Sequence, residues 1–342
     1  MSHDNAVKMS AEHAVDPDEP RPRITVLTDT PDGPPSVGRL HEHGDIRIAH
    51  DEASLRDALP GSEILLVTDF RTEALEAAWP AADSLRWVHA ASAGVDQLMF
   101  DALVDSDIPV TNAQGIFDRN IAEYVLGAIL MFAKDTRANI AYQQQRRWVH
   151  RDTESIHGKR VLVAGAGSIG REIGRLCKAV GMDVTGIARR LREADEVFSA
   201  VHAADDIDRH LPHADYVVVA APLTEATEHW FDARRFAAMA AHARFINIGR
   251  GPIVVTDDLV DALVNRQIAG AALDVFEQEP LPADHPLWGL DNVLMSAHMA
   301  GDFVGWRDAL VDQFLDNLAR WQRGDALFNQ VSKHHGYAPG AA

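Results

Sequence analysis

The stretch VLVAGAGSIGREIGRLCKAVGMDVTGIARR, residues 161–190, decides the fold. An apolar run, Val161-Leu162-Val163-Ala164, meets the turn Gly165-Ala166-Gly167-Ser168-Ile169-Gly170. Beyond it, Ile173, Leu176, Cys177 and Val180 fall at i, i+3, i+4 and i+7, one face of a helix. Residues 183–187 then read as a second strand. Each glycine has its own task in such a unit. Gly165 allows the tight bend, Gly167 lets the backbone approach a pyrophosphate, and Gly170 lets the helix pack closely on the strand. The amides at Ser168 and Ile169, at the positive end of the helix dipole, suit a phosphate. The stretch predicts a dinucleotide bound on a Rossmann-type α/β unit.

The end of the second strand selects the dinucleotide. An acidic residue about 20 positions after the glycines takes the ribose hydroxyls of NAD. Here the strand runs into Ala188-Arg189-Arg190, with no carboxylate before Glu193. Arginine offers charge and forked donors to a 2′-phosphate. The expectation is NADP(H), with NAD(H) as the lesser cofactor.

The rest of the 342 residues provides ample core for two domains. The 51 acidic residues outnumber the 32 Lys and Arg, a net charge of −19, which disfavours nucleic acid or an anionic membrane as partner. The single cysteine, Cys177, excludes an intramolecular disulfide and fits a reducing, cytoplasmic setting. Its place on the apolar helix face predicts a packed thiol and not a nucleophile. Residues 1–22 carry no apolar core of a secretory signal and read as a flexible tail. No run reaches the roughly 18 apolar residues of a membrane helix. The pairs His41/His43 and His334/His335 come without a ligand set, so no metal is expected.

Working outward, short strands are expected at 24–28, 64–68, 87–89 and 110–111, in βαβ rhythm but without a dinucleotide fingerprint. A long helical pattern runs from about 120 to 148. Strands are expected again at 216–220, 244–248, 271–275 and 293–296, and a helix at 306–321. A dinucleotide unit in mid-chain suggests that its flanks join as a second domain, with the site in the cleft between.

Six segments then stand in a telling order: SAGVD (92–96), GAGSIG (165–170), APLT (221–224), NIGRG (247–251), DVFEQEP (274–280) and SAHMAG (296–301). In this the chain resembles the D-isomer-specific 2-hydroxyacid dehydrogenases, and within them the NADPH-dependent glyoxylate/hydroxypyruvate reductases. The likeness covers nearly everything from Arg23 to Val331. It implies an α/β fold of two Rossmann-like domains. The central dinucleotide-binding domain, 116–301, is inserted in a flavodoxin-like substrate domain made of 23–115 and 302–335. It further implies a homodimer built on the long helix after Asn120. The activity implied is hydride transfer between NADP(H) and a small 2-keto or 2-hydroxy acid, D-specific.

The residues themselves suit that chemistry. Reducing a 2-keto acid needs a cation on the carboxylate and an acid for the developing alkoxide. Arg250 fits the first, since a guanidinium holds a carboxylate bidentately and never loses its charge. His298 fits the second, because imidazole titrates near neutrality. Glu279 would hydrogen-bond the other ring nitrogen, fixing the tautomer and favouring the imidazolium. By resemblance these three match the family's catalytic Arg, Glu and His, and the backbone at Ser92, Ala93 and Gly94 its loop for the substrate carboxylate. Asp274 resembles the residue that holds the nicotinamide amide. Pro222 and Thr227 resemble the adenosine rim, and Ile248, Gly249 and Ala300 line the cofactor. Ala297 replaces a proline common in relatives, a change in loop stiffness more than chemistry. Phe70 and Arg71 follow the 64–68 strand, and Arg71 would suit a second carboxylate, although a solvated surface arginine is the better explanation. A scaffold of the C-terminal-binding-protein type, which senses a dinucleotide and binds other proteins, is the alternative to an enzyme.

Overall fold

The computed structural model describes residues 21–333 apart from 30, 34 and 69–71. Phe70, Arg71, His334, His335 and the first 20 residues of the expected tail lie outside the described residues. The chain divides into two compact units, residues 1–89 and 90–342.

The first unit is built on a parallel sheet. Its strands are β1 (Arg23–Leu27), β2 (Asp45–Ala49), β3 (Ile64–Val67) and β4 (Trp87–Ala90), in the order β2-β1-β3-β4. Ile24 is in register with Ile46 on one side and Ile64 on the other. β3 reads Ile-Leu-Leu-Val and is buried throughout, the continuous apolar pattern of a strand covered on both faces. Helix Glu52–Ala58 starts with a capping box: Asp51 accepts from the Ser54 amide while Ser54 Oγ accepts from the Asp51 amide.

The second unit holds β5 (Val110–Asn112) and a seven-stranded sheet. That sheet is made of β6 (Arg160–Ala164), β7 (Asp183–Ala188), β8 (Ala200–Ala203), β9 (Tyr216–Val219), β10 (Arg244–Asn247), β11 (Gly270–Leu273) and β12 (Val293–Met295). Their order is β12-β11-β10-β9-β6-β7-β8, every neighbouring pair parallel. The direction of winding reverses between β6 and β9, the switch point at which doubly wound sheets open a crevice beyond the strand carboxyl ends. Alternate side chains feed two cores. Leu162, Val217, Phe245 and Ala271 belong to one, and Val161, Val163, Val218 and Ile246 to the other. The second core takes Ile173, Leu176 and Cys177 from helix Ser168–Ala179, together with Ile121, Val125 and Ile129 from helix Asp118–Ala133. Val180, expected on that face, caps the helix and is 40% exposed.

The helical pattern expected from 120 to 148 is two helices, Asp118–Ala133 and Thr136–Gln144. Asp135 breaks it: its φ of 47° lies in the left-handed region, and no helix continues through such a residue. After helix Trp306–Arg323 the chain returns to β5. The Asn112 amide donates to Asn329 O at 3.2 Å and the Val331 amide to Val110 O at 2.7 Å. Among the described residues no helix is long and apolar enough to cross a membrane, and no cluster of His, Cys, Asp and Glu suits a metal ion.

Candidate active site

The sequence-predicted residues collect at one edge of the seven-stranded sheet, where the parallel strands end. The glycine turn follows β6 and Arg189-Arg190 follows β7. Pro222 and Thr227 follow β9, Ile248 to Arg250 follow β10, Asp274 and Glu279 follow β11, and His298 and Ala300 follow β12.

Gly165 and Gly170 are sterically required in the turn. Gly165 has φ +116°, and a methyl built on it would lie 2.4 Å from the Ala221 amide nitrogen. On Gly170 a methyl would lie 1.9 Å from Gly165 O, so the helix closes directly on the turn. A methyl on Gly167 would meet nothing within 4 Å. That open space beside the first turn of helix Ser168–Ala179 is where a pyrophosphate would be cradled, and the turn fits a dinucleotide. Sequence reasoning missed two neighbours. Arg192 reaches back from beyond β7 and donates from Nη2 to Ala166 O at 2.8 Å. Asp118 sits at the start of its helix with Oδ1 buried and without a hydrogen-bond partner. Burial raises its carboxyl pKa above the ordinary value, against a hydrogen bond from Ser168.

His298 and Glu279 meet. Nδ1 of His298 lies 2.8 Å from Glu279 Oε2, while Glu279 Oε1 accepts from the Phe276 amide at 2.9 Å. Burial pushes the Glu279 carboxyl up. Its hydrogen bonds to His298 and Phe276 and the charges of His298 and Arg250 outweigh that and hold it below its usual value. The Glu279 contact at Nδ1 fixes the orientation of the His298 ring. His298 itself is bent into the left-handed region, φ +51°, and its amide donates to Asp274 O at 2.8 Å.

Asp274 fixes that bend. It is 2% exposed; Oδ1 accepts from Ser296 Oγ at 2.6 Å and from the Met299 amide at 2.9 Å, and Oδ2 from the Ala300 amide at 2.9 Å. With Ser296 donating to Asp274, the Tyr124 hydroxyl donates to Ser296 Oγ at 2.6 Å, tying the loop to helix Asp118–Ala133. The role the resemblance gives Asp274, at the nicotinamide, is thus accompanied by a structural one that the sequence did not reveal. Thr227 likewise folds its own loop: Oγ1 donates to Pro222 O at 2.6 Å and accepts from the Thr224 amide at 2.8 Å.

Arg250 lies between Gly94 and Asp96. Its Nε is 3.1 Å from Asp96 Oδ1, and Nη1 donates to Gly249 O at 2.9 Å. A methyl on Gly94 would fall 1.7 Å from Arg250 Nη2. The loop before Asp96 is held by Ser92 Oγ donating to Gly94 O and by Asn112 Nδ2 donating to Ala93 O. Asn247 braces the other side, accepting from the Gly249 amide and donating to Arg250 O. Asp96 closes the SAGVD segment, yet nothing in the sequence alone tied it to an arginine 154 residues away.

Cys177 is fully buried, and burial pushes its thiol up to about 12, so it is a packed side chain as expected.

Residues 126–300 match the family model for the NAD binding domain of D-isomer specific 2-hydroxyacid dehydrogenases. Glyoxylate/hydroxypyruvate reductase B of Salmonella newport is 33% identical over 309 residues, 87% of this chain and 89% of its own. Among solved structures, a D-isomer specific 2-hydroxyacid dehydrogenase family protein from Aeromonas salmonicida superposes with a TM-score of 0.78. It is 31% identical, and the match covers 91% of this chain and 99% of that one. The NADPH-dependent glyoxylate/hydroxypyruvate reductase of Sinorhizobium meliloti, in complex with NADP and sulfate, gives a TM-score of 0.80. That match is at 26% identity over 93% of this chain and 100% of its own. With its doubly wound sheet, glycine turn and Arg250–Glu279–His298 edge, the chain belongs to the D-isomer specific 2-hydroxyacid dehydrogenase family and is an NAD(P)-dependent oxidoreductase.

Proposed function

We propose that this chain reduces a short 2-keto acid, such as glyoxylate or hydroxypyruvate, to the D-2-hydroxy acid at the expense of NADPH. The observation that carries the reading is the 2.8 Å contact between Glu279 and His298, at the same strand edge as Arg250. A nicotinamide dinucleotide bound at the glycine turn supplies the hydride. The substrate carboxylate binds the Arg250 guanidinium and the backbone amides of Ala93 and Gly94. His298 donates from Nε2 to the carbonyl oxygen as the alkoxide develops, and Glu279 keeps the ring oriented through Nδ1. In the reverse direction the same Nε2 accepts the hydroxyl proton.

Arg189 and Arg190, exposed just after β7 in a stretch with no carboxylate before Glu193, support NADPH over NADH, and Arg192 adds a third guanidinium. The Sinorhizobium meliloti relative carries NADP. Pro222, Thr227, Ile248, Gly249 and Ala300 would complete the cofactor wall, and Asp274, with Oδ1 taken twice and Oδ2 once, would have one acceptor site left on Oδ2 for the nicotinamide amide.

The return of 329–331 to β5 supports a substrate domain assembled from 23–115 and 302–335. Leu130, Met131 and Ile140 are exposed along the two helices after Asn120, and Trp148 beyond them is 99% exposed, which supports burial there against a second copy.

The test is NADPH oxidation by purified protein against a panel of 2-keto acids, repeated with NADH. Turnover of at least one short keto acid, with the lower KM for NADPH, is expected. Tight NADPH binding with no keto-acid-dependent oxidation would leave the scaffold reading in its place.

A further inference from the structure

A guanidinium has two edges at which it can grip a carboxylate. One pairs Nε–H with an Nη2–H, and the other pairs the remaining hydrogens of Nη1 and Nη2. In Arg250 the first edge is taken. Asp96 Oδ1 lies 3.1 Å from both Nε and Nη2, and Oδ2 is 3.3 Å from Nε. Nη1, with two hydrogens, spends one on Gly249 O at 2.9 Å. The backbone of Gly94 packs against the guanidinium, since a methyl there would lie 2.7 Å from Cζ. Side-chain exposure is 20% for Arg250 and 17% for Asp96, so water screens the pair poorly.

We infer that Asp96 is the positioning residue for Arg250: it occupies the Nε/Nη2 edge so that the terminal Nη1/Nη2 edge is the one presented to the substrate carboxylate. This rests on the reading of the chain as a 2-keto acid reductase. An arginine on a long, unbranched stem would otherwise sample many rotamers, and binding would have to order it at each turnover. The loop that carries Asp96 is itself rigidified. The Leu98 amide donates to Val95 O, Ser92 Oγ to Gly94 O, and Asn112 Nδ2 to Ala93 O. Asp96 also sets a limit on the substrate. With one edge already holding an anion, Arg250 has room for a single carboxylate.

The role is separable from a stabilising ion pair by substrate choice. Glyoxylate and glycolaldehyde are both two-carbon aldehydes, and only glyoxylate carries the carboxylate. For wild type, Asp96→Ala and Asp96→Asn, kcat and KM are measured for both with saturating NADPH, and NADPH affinity by fluorescence. In Asp96→Ala the ratio of kcat/KM for glyoxylate over glycolaldehyde is expected to fall at least about tenfold, the glyoxylate KM rising. Asp96→Asn, which keeps an oxygen facing Nε and Nη2, is expected to restore part of that ratio. A structural ion pair alone would depress both substrates alike, and a ratio equal to wild type in Asp96→Ala overturns the inference. If Asp96→Ala no longer binds NADPH, Asp96→Ser decides by the same ratio. Should wild type reduce no keto acid at all, the functional reading falls and this inference with it. Turnover by wild type with an unchanged variant ratio removes the inference alone.

Discussion

At the scale of single residues, the site depends on a few contacts. His298→Ala removes the proposed proton donor, and turnover is expected to fall about 10²–10⁴-fold while NADPH affinity, measured by fluorescence titration, stays near wild type. Glu279→Gln keeps the shape but removes the ionised neighbour of Nδ1. Without it the ring loses the contact that orients it, so kcat for keto-acid reduction should fall about 10²-fold in steady-state assays while NADPH affinity stays near wild type, and an unchanged kcat would refute the pairing. Gly94→Ala places a methyl on the ground held by the Arg250 guanidinium. The guanidinium must shift by an ångström or more, and kcat/KM for keto acids is expected to drop on the order of 10²-fold in steady-state assays. Asp96 shows why part of this site was illegible in the sequence. Its segment was visible, but side-chain pairing across 154 residues leaves no periodic trace.

At the scale of elements, the strands of the inner sheet were legible because burial on both faces writes continuous apolar runs such as Tyr216-Val-Val-Val219. The two strands that sequence reasoning missed, β2 and β8, are both sheet edges. Their patterns, Asp-Ile-Arg-Ile-Ala and Ala-Val-His-Ala, are only partly buried, and an edge has little apolar signature to read. The strand amino ends carry a polar network far from the chemistry. Asp215 accepts from the Arg160 amide at 2.7 Å and lies 2.7 Å from His242 Nε2. Burial pushes its carboxyl up, but Arg160 and His242 more than offset this and bring it down to about 2. A depressed carboxylate stabilises the fold above its unfolded pKa of about 3.9, and that contribution fades as pH falls through the folded value. Asp215→Asn is expected to destabilise by on the order of 2 kcal/mol at neutral pH. In thermal unfolding the gap from wild type should begin to close below about pH 4. A gap that does not change with pH would mean that the charge is irrelevant.

At the scale of the whole molecule, two properties follow from surfaces. The proposed preference for NADPH would rest on the arginines after β7, where Arg192 also braces the glycine turn. Replacing Arg189 and Arg190 together with Ala188→Asp should invert the preference to NADH, since two charge-assisted contacts are worth about 1.5–3 kcal/mol each. Better use of NADH by the unaltered protein would contradict this. The proposed dimer would bury the exposed apolar side chains of the two helices after Asn120. The double change Leu130→Glu, Met131→Glu should convert a dimer to a monomer in sedimentation velocity.

The left-handed backbone at His298 has a consequence of another kind. A non-glycine residue held there gives up about 1 kcal/mol that glycine would not. His298→Gly should therefore unfold at a higher temperature than His298→Ala, although both lack the imidazole. Both variants lose the contact with Glu279, so the gap between their melting temperatures measures the backbone bend alone. Set against wild type, the same pair of proteins separates what the bend costs from what the ring contributes.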